Sequence, residues 1–398
     1  MADLETFRAD TRGWLEANAP QRLRGMPADQ LEGIWGGKKW LKSADPDQKK
    51  WLDACASRGF TAPTWPKEYG GGGLGKDEAK VLAEELRRLR MPPPLVGFGL
   101  TMIGPTLLQF GNEEQKKEHL PKICRGEIRW CQGYSEPGAG SDLAGLQTRA
   151  EDKGDHYIVN GTKIWTSYAD KADWIFALVR TDPKAKKQEG ITFILIDMET
   201  PGVSVSPILL ISGSSPFCET HFTDVKAWKK NVVHKINAGW TVAKALLGHE
   251  RTMVAEAFGA GGGSRRTLAE RARQYVASDA SGRITDAAAR DAIARIEMDT
   301  RAFAFTTQRS RDAAKAGHQP GAESSMFKAY GTELNMRRQE TLVRLAGPQS
   351  LGWEGPGFSD EELTTTRDWL RSRGNSIEGG TSEVQRNVIA KRVLGLPD

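Results

Sequence analysis

The chain has 398 residues, 38% of them hydrophobic and 27% charged, enough apolar mass for two or three packed domains and too much for a disordered chain. Its net charge of +5 comes from basic and acidic residues interleaved along the sequence, a balance that suits anionic ligands such as phosphates and is too diffuse for a nucleic-acid surface. No long uncharged apolar run occurs and the opening segment MADLETFRADTRGWLEANAP is charged, so neither a membrane span nor a secretory signal is expected, and a cytoplasmic location follows by default.

The first third reads helical. Asp77–Leu89 places apolar residues at helical spacing and runs into Met91 and a triple proline, and Ile103–Phe110 and Glu113–Arg125 continue the texture. Gly70–Lys76 (GGGGLGK) has the outline of a phosphate loop. The segment before it carries two prolines, and Asp77 stands where magnesium binding needs Ser or Thr, so a glycine turn before a helix is the better reading. The middle changes period. His156–Trp165 reads as two β-rich runs joined by Asn160-Gly161, a hairpin signal. Trp174–Arg180, Ile191–Met198 and Val203–Ile208 follow as strands, with Lys184–Lys187 as a solvated hairpin tip and Ser212–Pro216 as a loop. Strands so close together, with no helix between them, imply antiparallel pairing in a sandwich or barrel. From about Ala238 the helical period returns and persists, with a Gly/Ser-rich patch at Gly259–Ser264. The predicted fold class is mostly α with a central antiparallel β-domain.

Cys55, Cys124, Cys131 and Cys218 form no CxxC pair and read as reduced packing thiols. His249-Glu250 opens like HExxH, but Met253 takes the place of the second zinc ligand, so a metal site is not expected there.

Four stretches carry possible chemistry. Gly133–Asp142 (GYSEPGAGSD) combines glycines that let a backbone approach a ligand with the hydroxyls of Ser135 and Ser141; it is equally a turn-rich loop. Trp165-Thr-Ser167 ends a strand with an aromatic ring beside hydroxyls, suited to flank an aromatic cofactor or simply to fill a core. Asn237–Phe258 is an amphipathic helix whose apolar stripe, Val242, Leu246, Val254 and Ala257, includes Glu250. A carboxylate there is either a buried ion-pair partner, of Arg251 or another base, or a desolvated general base with a raised pKa. Finally, Gly379-Gly380-Thr381-Ser382 precedes a helix, with Ser382 and Gln385 spaced as a capping box; a glycine-rich helix start is both an ordinary cap and a phosphate site.

In this order, YSEPGAGSD (Tyr134–Asp142), NGTKIWTS (Asn160–Ser167), FTDV (Phe222–Val225), HER (His249–Arg251) and GGTSEVQR (Gly379–Arg386) resemble the acyl-CoA dehydrogenase family, and WPKEYGG (Trp65–Gly71) is similar to its N-terminal domain. The resemblance spans nearly the whole chain. It implies a helical domain (1–129), a β-domain (130–237) and a C-terminal four-helix bundle (238–398), with FAD between the last two. It implies that Tyr134 and Ser135 contact the flavin pyrimidine, that Trp165 packs on the isoalloxazine, that Ser167 bonds flavin N5, and that Thr381 and Glu383 touch the adenosine half. Ser141 would lie near the FAD and CoA phosphates, and Ser141 and Arg251 would contact substrate. The implied reaction removes the α-proton of an acyl-CoA with a carboxylate base and passes the β-hydrogen to flavin, giving a trans-2-enoyl-CoA.

Two departures from the family pattern refine this. Many members carry the base just before the final GTS, where this chain has Gly379, with Glu378 one residue earlier. Isovaleryl-CoA, long-chain and steroid side-chain dehydrogenases instead place it on the helix, and Glu250-Arg251 is similar to that branch; Gly379 keeps a backbone N–H that can polarise the thioester oxygen. Second, the R-x-x-F-G and Q-x-x-G-G stretches that reach a neighbouring subunit's FAD read ARQYVASDASGRI (Ala272–Ile284) and LAGPQSLGW (Leu345–Trp353) here. Related chains with these losses form heterotetramers with a second homologue. The expectation is an acyl-CoA dehydrogenase, homo- or heterotetrameric, that passes electrons to an electron-transfer flavoprotein. An acyl-CoA oxidase and an FAD- and acyl-CoA-binding subunit of a heteromeric dehydrogenase are the alternatives.

Overall fold

A computed structural model describes residues 2–26, 31–248, 266–317, 321–322 and 324–397. The chain divides into two compact units: one of Met1–Ile208 with Pro216–Leu246, the other of Leu209–Ser215 with Leu247–Asp398.

The first unit begins with helices α1 (Ala2–Asn18), α2 (Lys38–Leu41), α3 (Pro46–Ser57), α4 (Lys76–Arg88), α5 (Gly104–Phe110) and α6 (Glu113–Cys124). Their core gathers Leu15, Leu23, Trp51, Cys55 and Leu82. The glycine-rich segment before α4 is a turn, as its sequence suggests. Gly70 adopts φ 88° and a Cβ on Gly71 would lie 2.3 Å from the carbonyl oxygen of Trp65, so close chain crossing, rather than a phosphate, accounts for the glycines.

Seven strands follow: β1 (Trp130–Gly133), β2 (Arg149–Asp152), β3 (His156–Ser167), β4 (Trp174–Arg180), β5 (Ile191–Asp197), β6 (Val203–Ile208) and β7 (Phe217–Trp228). They form one sheet in the order β1-β4-β2-β3-β7-β6, with β5 added beside β4. Pairing is antiparallel except where β1 and β2 each meet β4 in parallel. The continuous apolar runs of β4 and β5 are buried on both faces, while β3 and β7 alternate. The predicted hairpin at Asn160-Gly161 is corrected: β3 runs unbroken through both residues. Asn160 exchanges hydrogen bonds with Asp224, its amide accepting from the Asp224 N–H and donating to the carboxylate. Gly161 (φ 151°) lies so close to Thr148 that a Cβ would stand 2.7 Å from its Cα. A neighbouring strand on each side holds extended a dipeptide that would turn if isolated.

Within the first unit the helices join the sheet through buried polar contacts. The Asp173 carboxylate accepts the backbone N–H groups of Lys38 and Arg129 at 3.0 and 2.7 Å. The Gln115 amide donates to the carbonyls of Lys230 and Val232, both at 2.8 Å. A helix (α7), described over 239–248, buries Val242 and Leu246 as its apolar stripe predicts.

The second unit contains α8 (Leu268–Ala272), α9 (Ala287–Lys315), α10 (Ser324–Ala346), α11 (Asp360–Ser372) and α12 (Ser382–Val388). They pack around Leu268, Ile293, Ile296, Phe303, Phe327, Leu334 and Leu342. The capping box expected at Ser382 is also corrected. Thr381 is the N-cap, its Oγ1 accepting from the Val384 N–H at 3.2 Å, and Ser382 lies inside the first turn. All four cysteines are buried. Among the described residues no helix is long and apolar enough to cross a membrane.

Candidate active site

In the first unit, the chain leaves β1 at Tyr134 and Ser135 and enters a tight turn in which Glu136 and Ala139 exchange backbone hydrogen bonds. The ring of Tyr134 is buried edge-on against Phe176 and Phe193, so it belongs to the core and offers no surface to a ligand. Ser135 is half-buried, and its carbonyl accepts the Ile164 N–H at 2.9 Å, lashing the segment to β3. A Cβ at Gly138 or Gly140 would meet no atom within 4 Å. The fold itself does not require glycine there, and the backbone is open to a ligand. Ser141 is exposed beside Asp142, which pairs with Lys187 at 2.6 Å.

Further along β3 the register against β7 slips between Lys163 and Thr166. Trp165 lies in this bulge with φ 60° and 52% of its surface exposed, touched edge-on by Phe217 at 6.0 Å. A bulge re-aims a side chain, and a bulky residue in the left-handed region carries strain of roughly 1–3 kcal/mol. An exposed indole plane held at that cost is a platform for a flat ring. Thr166 is buried, its hydroxyl donating to the Cys218 carbonyl at 2.8 Å, and Ser167, half-buried, follows at the strand end. Ser135, the open glycines, Trp165 and Ser167 thus provide hydroxyl, backbone and aromatic groups of the kind that hold a flavin.

Three residues absent from the sequence-based site organise it. Lys163 is fully buried and donates to the Tyr134 carbonyl (3.1 Å) and to Glu136 (2.8 Å). Glu136 also accepts the backbone N–H groups of Gln147 and Thr148 at 2.6 and 2.9 Å. Burial pushes the Glu136 carboxyl up, but Lys163 and these donors outweigh it and leave it below its ordinary value. Arg180 donates to the carbonyls of Ala144 and Lys187, both at 2.6 Å. The legible signal was a lysine continuing the inward series of Tyr157 and Val159 on β3, where an unpaired cation cannot stay.

In the second unit, Gly379 and Gly380 take φ 62° and 90° and lead into the Thr381 cap. Glu383, in the first turn, is largely exposed and held below its ordinary pKa by its own backbone N–H and by Thr381. The buried Ser382 hydroxyl and Gln385 Oε1 have no partner among the described residues, and buried polar atoms left so usually await a ligand or water. Glu378 is bound by Arg371 (2.7 Å) and by the Asn375 amide. The buried Lys328 donates to the Ser376 carbonyl at 3.2 Å, and burial pushes its pKa down against the pull of Glu378 and Glu383. Glu250 and Arg251 lie outside the described residues. A surface cavity of about 690 Å³ lined by Trp174, Asp197, Lys226 and Trp228 lies elsewhere on the first unit and includes none of these residues.

Comparison with known proteins identifies the family. Signatures of the acyl-CoA dehydrogenase N-terminal, middle and C-terminal domains match residues 37–127, 131–225 and 237–394 in turn. The acyl-CoA dehydrogenase IpdE1 of Mycobacterium tuberculosis is 35% identical over 403 residues, covering 100% of this chain and 99% of its own length. FadE29 of the same organism, also an acyl-CoA dehydrogenase, is 35% identical over 338 residues, 84% of each chain. Among solved structures, the Tcur3481-Tcur3483 steroid ACAD superposes with a TM-score of 0.75 at 31% identity, covering 100% of this chain and 98% of that one. The ChsE4-ChsE5 complex from Mycobacterium tuberculosis gives 0.74 at 29%, with coverage of 100% and 98%. The chain therefore belongs to the acyl-CoA dehydrogenase family of flavin-dependent oxidoreductases.

Proposed function

We propose that the chain catalyses FAD-dependent α,β-dehydrogenation of a bulky, steroid-derived acyl-CoA to the trans-2-enoyl-CoA, with Glu250 as the base. The observation that carries the choice of base is the engagement of Glu378. Its carboxylate is bound to Arg371 and Asn375, and the next residue, Gly379, has no side chain to accept a proton. By sequence spacing Glu250 continues the stripe of Val242 and Leu246, which α7 buries; a carboxylate on that stripe would be desolvated and its proton affinity raised. The Gly379 N–H polarises the thioester oxygen and stabilises the enolate-like charge as Glu250 takes the α-proton. Arg251 and Ser141 hold the CoA ester. Trp165, Ser167, Ser135 and the backbone at Tyr134 position the flavin ring, and Thr381 and Glu383 its adenosine half. Bound FAD supplies the acceptor for the β-hydride.

The names of two neighbours, a Tcur3481-Tcur3483 steroid ACAD and a ChsE4-ChsE5 complex, support a steroid-type acyl group and a second kind of subunit; the two altered partner-contact stretches support a heterotetramer over a homotetramer. An electron-transfer flavoprotein is the acceptor this family context favours over oxygen. Domain boundaries fall at 129/130 and 237/238. Single-turnover bleaching of the oxidised flavin with an acyl-CoA panel tests the reading. Glu250→Gln should slow reduction by roughly 10² to 10⁴-fold, the usual worth of a general base, and Glu378→Gln by far less. Near-normal reduction in Glu250→Gln, or a protein that takes up no flavin when FAD and partner are supplied, overturns it.

A further inference from the structure

The Lys163–Glu136 pair closes a loop at both ends with one carboxylate and one ammonium. Lys163 Nζ holds the start of the 134–148 segment through the Tyr134 carbonyl. Glu136, bound to the same ammonium, holds its end through the N–H groups of Gln147 and Thr148. Between these anchors lie Ser135, the open glycines and the exposed Ser141. Two residues beyond Lys163 the bulge presents Trp165, and Ile164 between them is bonded to Ser135. A single buried cation therefore sets the spacing between the glycine-rich loop and the indole platform. Both partners are buried, and a buried ion pair is commonly no more stabilising than an apolar replacement of similar size. Its charges serve geometry better than they serve stability.

We propose that Lys163 is a positioning residue for the cofactor, and that its ion pair with Glu136 preorganises the 134–148 loop and the Trp165 bulge as one flavin-binding surface. This rests on the reading above that these segments face FAD. The groups that face the ammonium are Glu136 from the loop and Arg180 from β4. Burial, reinforced by the Arg180 charge and opposed by Glu136, pushes the Lys163 pKa down to about 8. The cation is present below that value and lost as pH rises through it. With it go the charge-assisted bonds to Tyr134 and Glu136, and the grip on FAD weakens.

The test is titration of FAD into the apoprotein, read by flavin fluorescence, from about pH 6.5 to about pH 9.5, a range spanning the lysine's loss of charge. The wild-type dissociation constant should be flat at the acidic end and rise at least about tenfold by the alkaline end, the worth of one charge-assisted bond. Lys163→Met combined with Glu136→Gln removes both charges together, so no buried ion is left unpaired. At neutral pH it should bind FAD about ten- to hundredfold more weakly, with no pH dependence. Wild-type affinity in this double variant overturns the proposal. If the double variant does not fold, the wild-type profile decides: a rise through about pH 8 supports the proposal and a flat line overturns it. A wild type that binds FAD with a flat profile sinks this inference alone, whereas one that binds no FAD at any pH even with the partner subunit supplied sinks the flavin reading with it.

Discussion

Glu85, on α4, concentrates three guanidinium groups on one buried carboxylate. Arg12 of α1 binds it through two nitrogens at 3.0 and 2.9 Å, Arg88 at 2.7 Å and Arg8 at 3.2 Å. The Arg12 bonds, with Arg88 and Arg8, outweigh burial and hold its pKa down to about 2. A depressed carboxylate contributes stability that is complete above its unfolded value, near 4.5, and is lost as pH falls toward about 2. The arginines are partly exposed and can return to water, so the loss stays below that of a fully enclosed triad. Glu85→Gln should therefore destabilise the protein by about 2 kcal/mol at neutral pH. Urea unfolding of both proteins should show the difference shrinking through the acid range; a gap that persists at pH about 2 contradicts the assignment. Glu378 too is held by a guanidinium, that of Arg371, and by the Asn375 amide.

At the scale of elements, β3 is the strand on which the site depends. It pairs with β2 and β7 at once, and its irregularities do the positioning: Gly161 permits close approach to Thr148, just before β2, and the bulge after Lys163 turns Trp165 outward. Gly161→Ala should cost about 3 kcal/mol, because its Cβ would meet the Thr148 backbone and its φ of 151° suits only glycine. Thermal or urea unfolding checks this, and a cost under about 0.5 kcal/mol, that of an ordinary surface change, would show that the strand yields there. The Asn160-Gly161 hairpin and the Ser382 cap were both misread for one reason. Local propensity permits a turn at the first and a cap at the second, and neighbouring strands or the preceding glycines decide otherwise.

At the scale of the whole molecule, the second unit leaves large apolar side chains uncovered. On α9, Met298 and Phe305, seven residues apart and so on one face, are 70% and 75% exposed. Exposed apolar surface of this kind marks association. The chain alone should sediment below the tetramer, reach the tetramer with a second homologous subunit, and lose that assembly on Phe305→Glu. A tetramer of this chain alone carrying one FAD per subunit would make the partner unnecessary.

The sequence by itself determined the order helical, β, helical, because hydrophobic period is a local property that each segment carries. It also placed the turn at Gly70, the strands from Trp174 to Ile208 and the buried face of α7. Family motifs located Trp165 and the Gly379–Thr381 turn, since their spacing is written in the chain. Only the tertiary structure decided that Tyr134 is core, that Trp165 is held at positive φ in a bulge, that Glu378 is bound by Arg371, and that Lys163 and Glu136 close the glycine-rich loop. Each of these depends on a partner distant in sequence, and the energy of a buried charge or a strained backbone is set by what is packed against it.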